Sequence, residues 1–368
     1  MIEYKARAGS GGIKWDAVKE LFGRDDILPM WVADMDFASP KAIEELLEKE
    51  AKIGAYGYEN TPQEFYDSIA LWNKERHDFT VLPEWIVPIP SVITALGVGV
   101  KLWGDGGVLL QPPVYEQFNS MIKKNRAKKV VSPLVNEDGR YKISYPLPKA
   151  SVALFCSPQN PTGRVWSIEE LTEFAKEAKA QNMVVVSDEI HSDIVFGKHY
   201  PLLEFYDRVV LVSAVNKTFN VAKYGGGYAI IKEKSLREQF KEYLESLHLG
   251  ISPTSAKILI TAYKEGAWVD ELVQVLEQNI DYIEKNLTPK IKRVRPEGTY
   301  LYWLDFSVFD LSDKELREIT TCEAKLGLNS GTKYGREGTK HMRLNFATSL
   351  ENVKVAVRRL NSIFGEKE

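Results

Sequence analysis

Val152-Ala153-Leu154-Phe155-Cys156-Ser157-Pro158-Gln159-Asn160-Pro161-Thr162-Gly163 carries the reading of the fold: an apolar run without alternation stops at a polar, proline-punctuated turn. The same design returns twice downstream. Met183 to Val186 runs into Ser187-Asp188-Glu189-Ile190-His191, and Val209 to Val212 runs into Ser213-Ala214-Val215-Asn216-Lys217. Gly107 to Leu110 and Tyr228 to Ile231 are two more short apolar runs. Strands that are apolar on both faces need helices on both sides, which is the setting of a mostly parallel sheet.

Helical signals fill the intervals. Ser167 with Glu170 spells a capping box ahead of Leu171, Phe174, Ala175 and Ala178. Thr61-Pro62 with Glu64 is expected to cap a helix bearing Phe65, Ile69 and Trp72. Ser39-Pro40 is expected to open one bearing Ile43, Leu46 and Leu47, closed by Gly54 in the left-handed conformation. Beyond residue 265, Leu272, Leu276, Ile280, Ile283 and Leu287 mark a long amphipathic helix, and Val353, Ala356, Val357 and Leu360 a closing one. The fold class is α/β, a mostly parallel sheet covered by helices, with no internal repeat or linker.

Composition narrows the function classes. The 368 residues carry 48 Lys+Arg against 51 Asp+Glu, a net charge of −3, with 44% hydrophobic and 27% charged residues. That is globular usage, and no charge block points to nucleic acid or a membrane surface. Cys156 and Cys322 have neither disulfide nor zinc spacing, and the histidines at 77, 191, 199, 248 and 341 lack ligand spacing, so no metal site is expected. Met1 to Gly12 has no apolar signal core and the longest apolar runs are strand-sized, so a soluble cytoplasmic protein is expected. The glycine clusters Gly104 to Gly107 and Gly225 to Gly227 lack a dinucleotide pattern, and no GxSxG elbow occurs.

Ligands of open α/β sheets sit beyond the carboxyl ends of the strands, where Asn160, Asp188 and Lys217 follow three of the runs. Alone, each has a plain reading: a turn, a helix cap, a surface charge. Together they match what pyridoxal phosphate needs. A lysine forms a Schiff base with its aldehyde, a carboxylate keeps its ring nitrogen protonated, and a donor polarises its ring hydroxyl.

The order Asn160, Asp188, Lys217 resembles that of the fold-type I pyridoxal phosphate enzymes, the class I/II aminotransferase superfamily. The likeness is closest to the cystathionine β-lyase branch, the C–S lyases of the cystalysin type. It rests on Pro29 to Phe37, Tyr56-Gly57-Tyr58, Pro90 to Ile93, Pro113-Val114-Tyr115, Cys156 to Gly163, Ser187 to His191, Lys217 to Asn220, Pro296 to Tyr300 and Arg343-Leu344-Asn345. Trp31 to Phe37 and Asp188-Glu189-Ile190-His191 are the branch-specific stretches.

The resemblance implies that Lys217 holds the cofactor and shuttles the Cα proton, that Asp188 pairs with the ring nitrogen, and that Asn160 bonds the ring hydroxyl. His191 stands behind Asp188, and Tyr115 stacks on the ring. Ser91, Val92 and Ile93, at a helix start, meet the phosphate, to which Tyr58 reaches from a neighbouring subunit of a homodimer. Arg343 takes the substrate carboxylate, with Trp31 and Ala33 beside it. The lysine segment departs from the family pattern at Asn216 and at Ala222-Lys223-Tyr224, which leaves Ser213 as a substitute phosphate-side hydroxyl. A large cofactor-binding domain over 47–245 and a small α/β domain from 1–46 and 246–368 are implied, as is cleavage of a sulfur amino acid to thiol, pyruvate and ammonia. An aminotransferase, or a regulatory protein that binds pyridoxal phosphate, are the alternatives.

Overall fold

The computed structural model describes residues 2–365. Its centre is a seven-stranded sheet made from β1 (Ile86–Ile89), β2 (Val108–Leu110), β3 (Lys129–Val131), β4 (Val152–Cys156), β5 (Val184–Asp188), β6 (Val209–Ser213) and β7 (Gly227–Ile231). The spatial order is β1-β7-β6-β5-β4-β2-β3, and only β7 runs against its neighbours. β4 and β6 coincide with the apolar runs read from the sequence.

Every residue of β4, β5 and β6 is buried, because side chains alternate between two covered faces. Ala153, Phe155, Val185 and Leu211 point to one core, shared with Phe65, Ile69 and Trp72 of α2 (Gln63–His77) and Leu171 and Phe174 of α5 (Ile168–Ala180). Leu154, Val184, Val186 and Val212 point to the other, under α3 (Val92–Trp103), α4 (Glu116–Lys124) and α6 (Lys234–Ser246). At Gly99 a Cβ would stand 2.4 Å from Val186 Cγ2, so only glycine lets α3 lie this close to β5.

A third core gathers Met30, Met35 and Phe37, the helices α8 (Gly266–Asn286) and α9 (Leu350–Phe364), and a three-stranded antiparallel sheet of β8 (Leu301–Asp305), β9 (Asn329–Ser330) and β10 (His341–Asn345). This is the smaller α/β unit expected from the family likeness. α7 (Pro253–Ala262), although late in the chain, packs with the first core through Ile258 and Leu259.

The helix starts show where local reading succeeds. Ser167 and Glu170 form the expected capping box. Thr61 caps nothing: Pro62 takes the cap position, and the Glu64 carboxylate accepts from Lys264 Nζ at 2.8 Å instead of reaching back. The Ser39 hydroxyl likewise donates to Asn220 O, leaving Pro40 to precede α1 (Lys41–Ala51). Gly54 does take a positive φ, but it lies beyond the end of that helix.

Candidate active site

The carboxyl ends of β4, β5 and β6 open into a cavity of about 330 Å3 whose wall includes Asn160, Asp188 and Lys217. Asp188 ends β5, and its Oδ1 accepts from Ile190 N at 3.2 Å. Burial pushes its carboxyl up to about 7, against the pull of that N–H and of Lys217. Lys217 is drawn down to about 8, chiefly by burial and next by the Arg343 cation, while Asp34 and Asp188 oppose the shift. Its Nζ donates to Ala33 O at 2.7 Å.

His191 lies on the same wall. Burial and the cations Lys217 and Arg343 hold it well below the usual imidazole range, so it is neutral at neutral pH. Its ring meets Tyr300 edge-on at 5.5 Å, and its Nδ1 has no partner.

Arg343 reaches in from β10. Its Nη1 donates to Asn160 Oδ1 at 2.9 Å and its Nη2 to Trp31 O at 2.7 Å, while its guanidinium lies 5.1 Å from the Tyr334 ring centre. Nε is buried without a partner. Tyr115 precedes α4 on the cavity wall, and Ser91, Val92 and Ile93 border it at the start of α3. Ser91 Oγ caps that helix by accepting from Thr94 N at 3.1 Å. The N–H groups of a first helical turn have no acceptor within the helix, so this end can take an anion.

Met30 to Phe37 closes the opposite side, with Trp31, Val32 and Ala33 on the wall. Side chains hold this stretch by its backbone. Asn345 Nδ2 donates to Val32 O and, at 2.6 Å, to Asp34 O. Asn220 Nδ2 donates to Met35 O at 2.9 Å and Phe37 O at 2.8 Å, and Tyr300 OH to Ala33 O at 3.0 Å. Beneath it, the fully buried Lys14 pairs with Asp36 at 2.9 Å, whose other oxygen accepts from Trp15 Nε1 at 2.8 Å.

One expected residue stands elsewhere. Ser213 is buried away from the cavity wall, its hydroxyl donating to Glu189 O at 3.3 Å. Asn216 lines the cavity in its stead, with Oδ1 unpartnered. Tyr58, expected at the neighbouring subunit's site, is fully exposed and off this chain's own wall, and Tyr56 is exposed with its hydroxyl donating to Ala51 O at 2.9 Å. Lys223 is exposed, and only Ala222 of its segment touches the cavity. Sequence reading passed over Glu116, Asn329 and Lys333, which also line it. Glu116 adjoins Tyr115 and was within reach; the other two become neighbours only through the fold.

Residues 26–360 match the model of the family described as aminotransferase class I and II. The chain belongs to that family. Within it, the chain is 39% identical to the cystathionine beta-lyase PatB of Bacillus subtilis, over 97% of each chain. It is 33% identical to the protein MalY of Escherichia coli, over 92% of each. Cystalysin from Treponema denticola, solved with pyridoxal 5'-phosphate, superposes with a TM-score of 0.91 at 28% identity, covering 98% of both chains. Among the described residues of this aminotransferase-family chain, no helix is long and apolar enough to cross a membrane. Among the same residues, no group of three or more His, Cys, Asp or Glu is placed to hold a metal ion.

Proposed function

We propose that the chain is a pyridoxal phosphate-dependent C–S β-lyase that cleaves a sulfur-containing amino acid to a thiol, pyruvate and ammonia. One observation carries this reading: Asp188, Lys217 and Arg343 converge on one cavity whose buried polar groups are incompletely paired. The residues fit the cofactor. Asp188 is buried with its carboxyl raised, as befits a group awaiting a cationic ring nitrogen. Arg343 Nε and Asn216 Oδ1 lack partners, and the start of α3 offers N–H groups to a phosphate.

When bound, pyridoxal phosphate supplies a carbonyl that captures the substrate amine and a ring that accepts electrons released at Cα. The chain's own groups do the rest. Lys217, whose amine is about half neutral near pH 8, accepts the Cα proton and can return it. Arg343 offers a planar guanidinium to the substrate carboxylate. Asn160 and Asp188 would hold the ring hydroxyl and the ring nitrogen, and Tyr115 would stack on the ring. Ser91, Val92 and Ile93 would take the phosphate, and Asn216 lines the same cavity. Trp31 and Ala33 shut the far side, where they exclude water. With the proton taken from Cα, the pair left there becomes the Cα–Cβ double bond as the Cβ–S pair departs on sulfur; Lys217 can hand its proton to that thiolate, and water hydrolyses the released enamine to pyruvate and ammonia.

The proposal includes a homodimer in which the exposed Tyr58 reaches the phosphate site of the other subunit, a cytoplasmic location, and a division into a large unit (47–245) and a small one (1–46 with 246–368). α7 packs back across that boundary onto the large sheet. The test is product analysis with L-cystathionine and no keto acid. Release of pyruvate and ammonia supports the lyase; product that appears only with an added amino acceptor makes the chain an aminotransferase.

A further inference from the structure

Glu116 and Lys333 line the same cavity, yet nothing in the reaction above uses them. Lys333 is solvent-exposed whereas Arg343 is 3% exposed, which puts Lys333 nearer the mouth. It is held there in a definite place. Its Nζ donates to Asn329 Oδ1 at 2.9 Å, Asn329 Nδ2 donates to Trp31 O at 2.7 Å, and Arg343 Nη2 donates to that same carbonyl at 2.7 Å. An ammonium has three donors, so Lys333 keeps donors free for a ligand.

The turn that carries Lys333, Gly331–Tyr334, is pinned at its base. A Cβ on Gly331 would stand 2.1 Å from Gly338 O, and one on Gly338 2.0 Å from Gly331 O, so the two backbones touch as only glycines allow. Glu116 opens α4, with its Oε2 buried and unpartnered. It stands directly after Tyr115 on the wall that also holds Lys217 and Lys333.

We infer that Lys333 and Glu116 form a distal subsite for a zwitterionic tail on the sulfur leaving group, Lys333 taking its carboxylate and Glu116 its ammonium. The inference rests on the lyase reading and adds to it the two side chains that read the far end of the thioether, beyond the groups that hold its reacting end. A hydrocarbon tail would cover Glu116 and Lys333 without pairing them, and a site built to pair polar groups rejects an analogue that lacks them.

Four thioethers separate the possibilities: L-cystathionine, S-(2-carboxyethyl)-L-cysteine, S-(2-aminoethyl)-L-cysteine and S-propyl-L-cysteine. Each is measured with the loaded wild type, Lys333→Gln and Glu116→Gln. The readouts are kcat/KM for pyruvate release and the dissociation constant from the change in cofactor absorbance. Lys333→Gln is expected to lower the carboxyethyl-to-propyl ratio of kcat/KM about tenfold, mainly through KM, and Glu116→Gln to lower the aminoethyl-to-propyl ratio similarly. A carboxyethyl-to-propyl ratio within about twofold of wild type in a Lys333→Gln protein of unchanged melting temperature overturns the subsite. If no thioether releases pyruvate while amino groups pass to a keto acid, the lyase reading alone falls. The dissociation-constant ratios then decide the subsite by the same criterion.

Discussion

Asn160, Asp188 and Lys217 stand at or just beyond the ends of paired strands, whereas the facing wall, Met30 to Phe37, has almost no regular structure. On the first wall the backbone ladder does the positioning: Cys156 pairs with Asp188, and Asp188 with Val212. On the second wall the ladder is replaced by Asn345, Asn220, Tyr300 and Arg343, which grip backbone carbonyls one by one. A ladder shares its load over many hydrogen bonds, so the first wall keeps its shape when one side chain is trimmed. The second wall depends on each grip.

The largest expected effect comes from beneath the second wall. Asp36→Ala strands the buried Lys14 ammonium, leaving it a long bond to Asp34 O at 3.4 Å and Asp34 Oδ1 at 3.8 Å as poor substitutes. The loss should be about 3–5 kcal/mol in denaturant unfolding. A cost under about 1 kcal/mol would mean that the wall is not anchored there.

Next, Leu154→Ala removes a core side chain of β4 and should cost about 3 kcal/mol, yet leave kcat/KM within about twofold, because the ladder still sets Asp188 and Asn160. A tenfold fall in kcat/KM in the folded variant would erase the proposed contrast between the walls.

Asn345→Ala is the converse. It ungrips Val32 O and Asp34 O and leaves Ala347 N without its acceptor, for about 2 kcal/mol of stability. Here kcat/KM should fall at least about tenfold, since Trp31 and Ala33 lose their setting. Steady-state kinetics beside thermal unfolding separates the two variants.

The smallest effect concerns Lys217 in the cofactor-free protein. Its folded pKa lies below the ordinary 10.5, so the folded state binds its proton less tightly than the unfolded chain. That penalty is fully present below about pH 8 and gone above 10.5. The fall from 10.5 to about 8 is worth up to about 3 kcal/mol, and losing the hydrogen bond to Ala33 O takes back about 1–2, so Lys217→Met should stabilise the cofactor-free protein by about 1–2 kcal/mol at pH 7, with the gain shrinking as pH rises through that window. Cofactor capture by the wild type should accelerate up to about pH 8 and then level, since the neutral amine is the reactive form. Asp34→Asn should move the inflection to lower pH, because Asp34 holds the ammonium up.

The contrast between the walls also explains what could be read in advance. β4 and β6 were visible because both faces of those strands are buried, which leaves unbroken apolar runs with their polar residues at the ends. The family likeness then brought Arg343, Tyr115 and the start of α3 to the same place. The amide grips were invisible as interactions, since Asn220 and Asn345 meet their carbonyls across more than a hundred residues of chain. The same long-range pull defeated the Thr61 capping box, whose Glu64 found Lys264, and kept Ser213 off the cavity, since its hydroxyl found Glu189 O. Local rules hold where no distant partner competes.

The glycine-to-glycine contact under Lys333 has a consequence for how this enzyme can change over time. Gly331 and Gly338 set the course of the turn through main-chain atoms alone, so the side chain at 333 is a replaceable tooth on a fixed jaw. A lineage can retune which sulfur compounds it consumes by single codon changes at that position, without compensating repairs in the scaffold. Saturating position 333 should yield variants that differ widely in substrate ranking while melting at nearly one temperature, whereas any side chain at 331 or 338 should forfeit the turn itself.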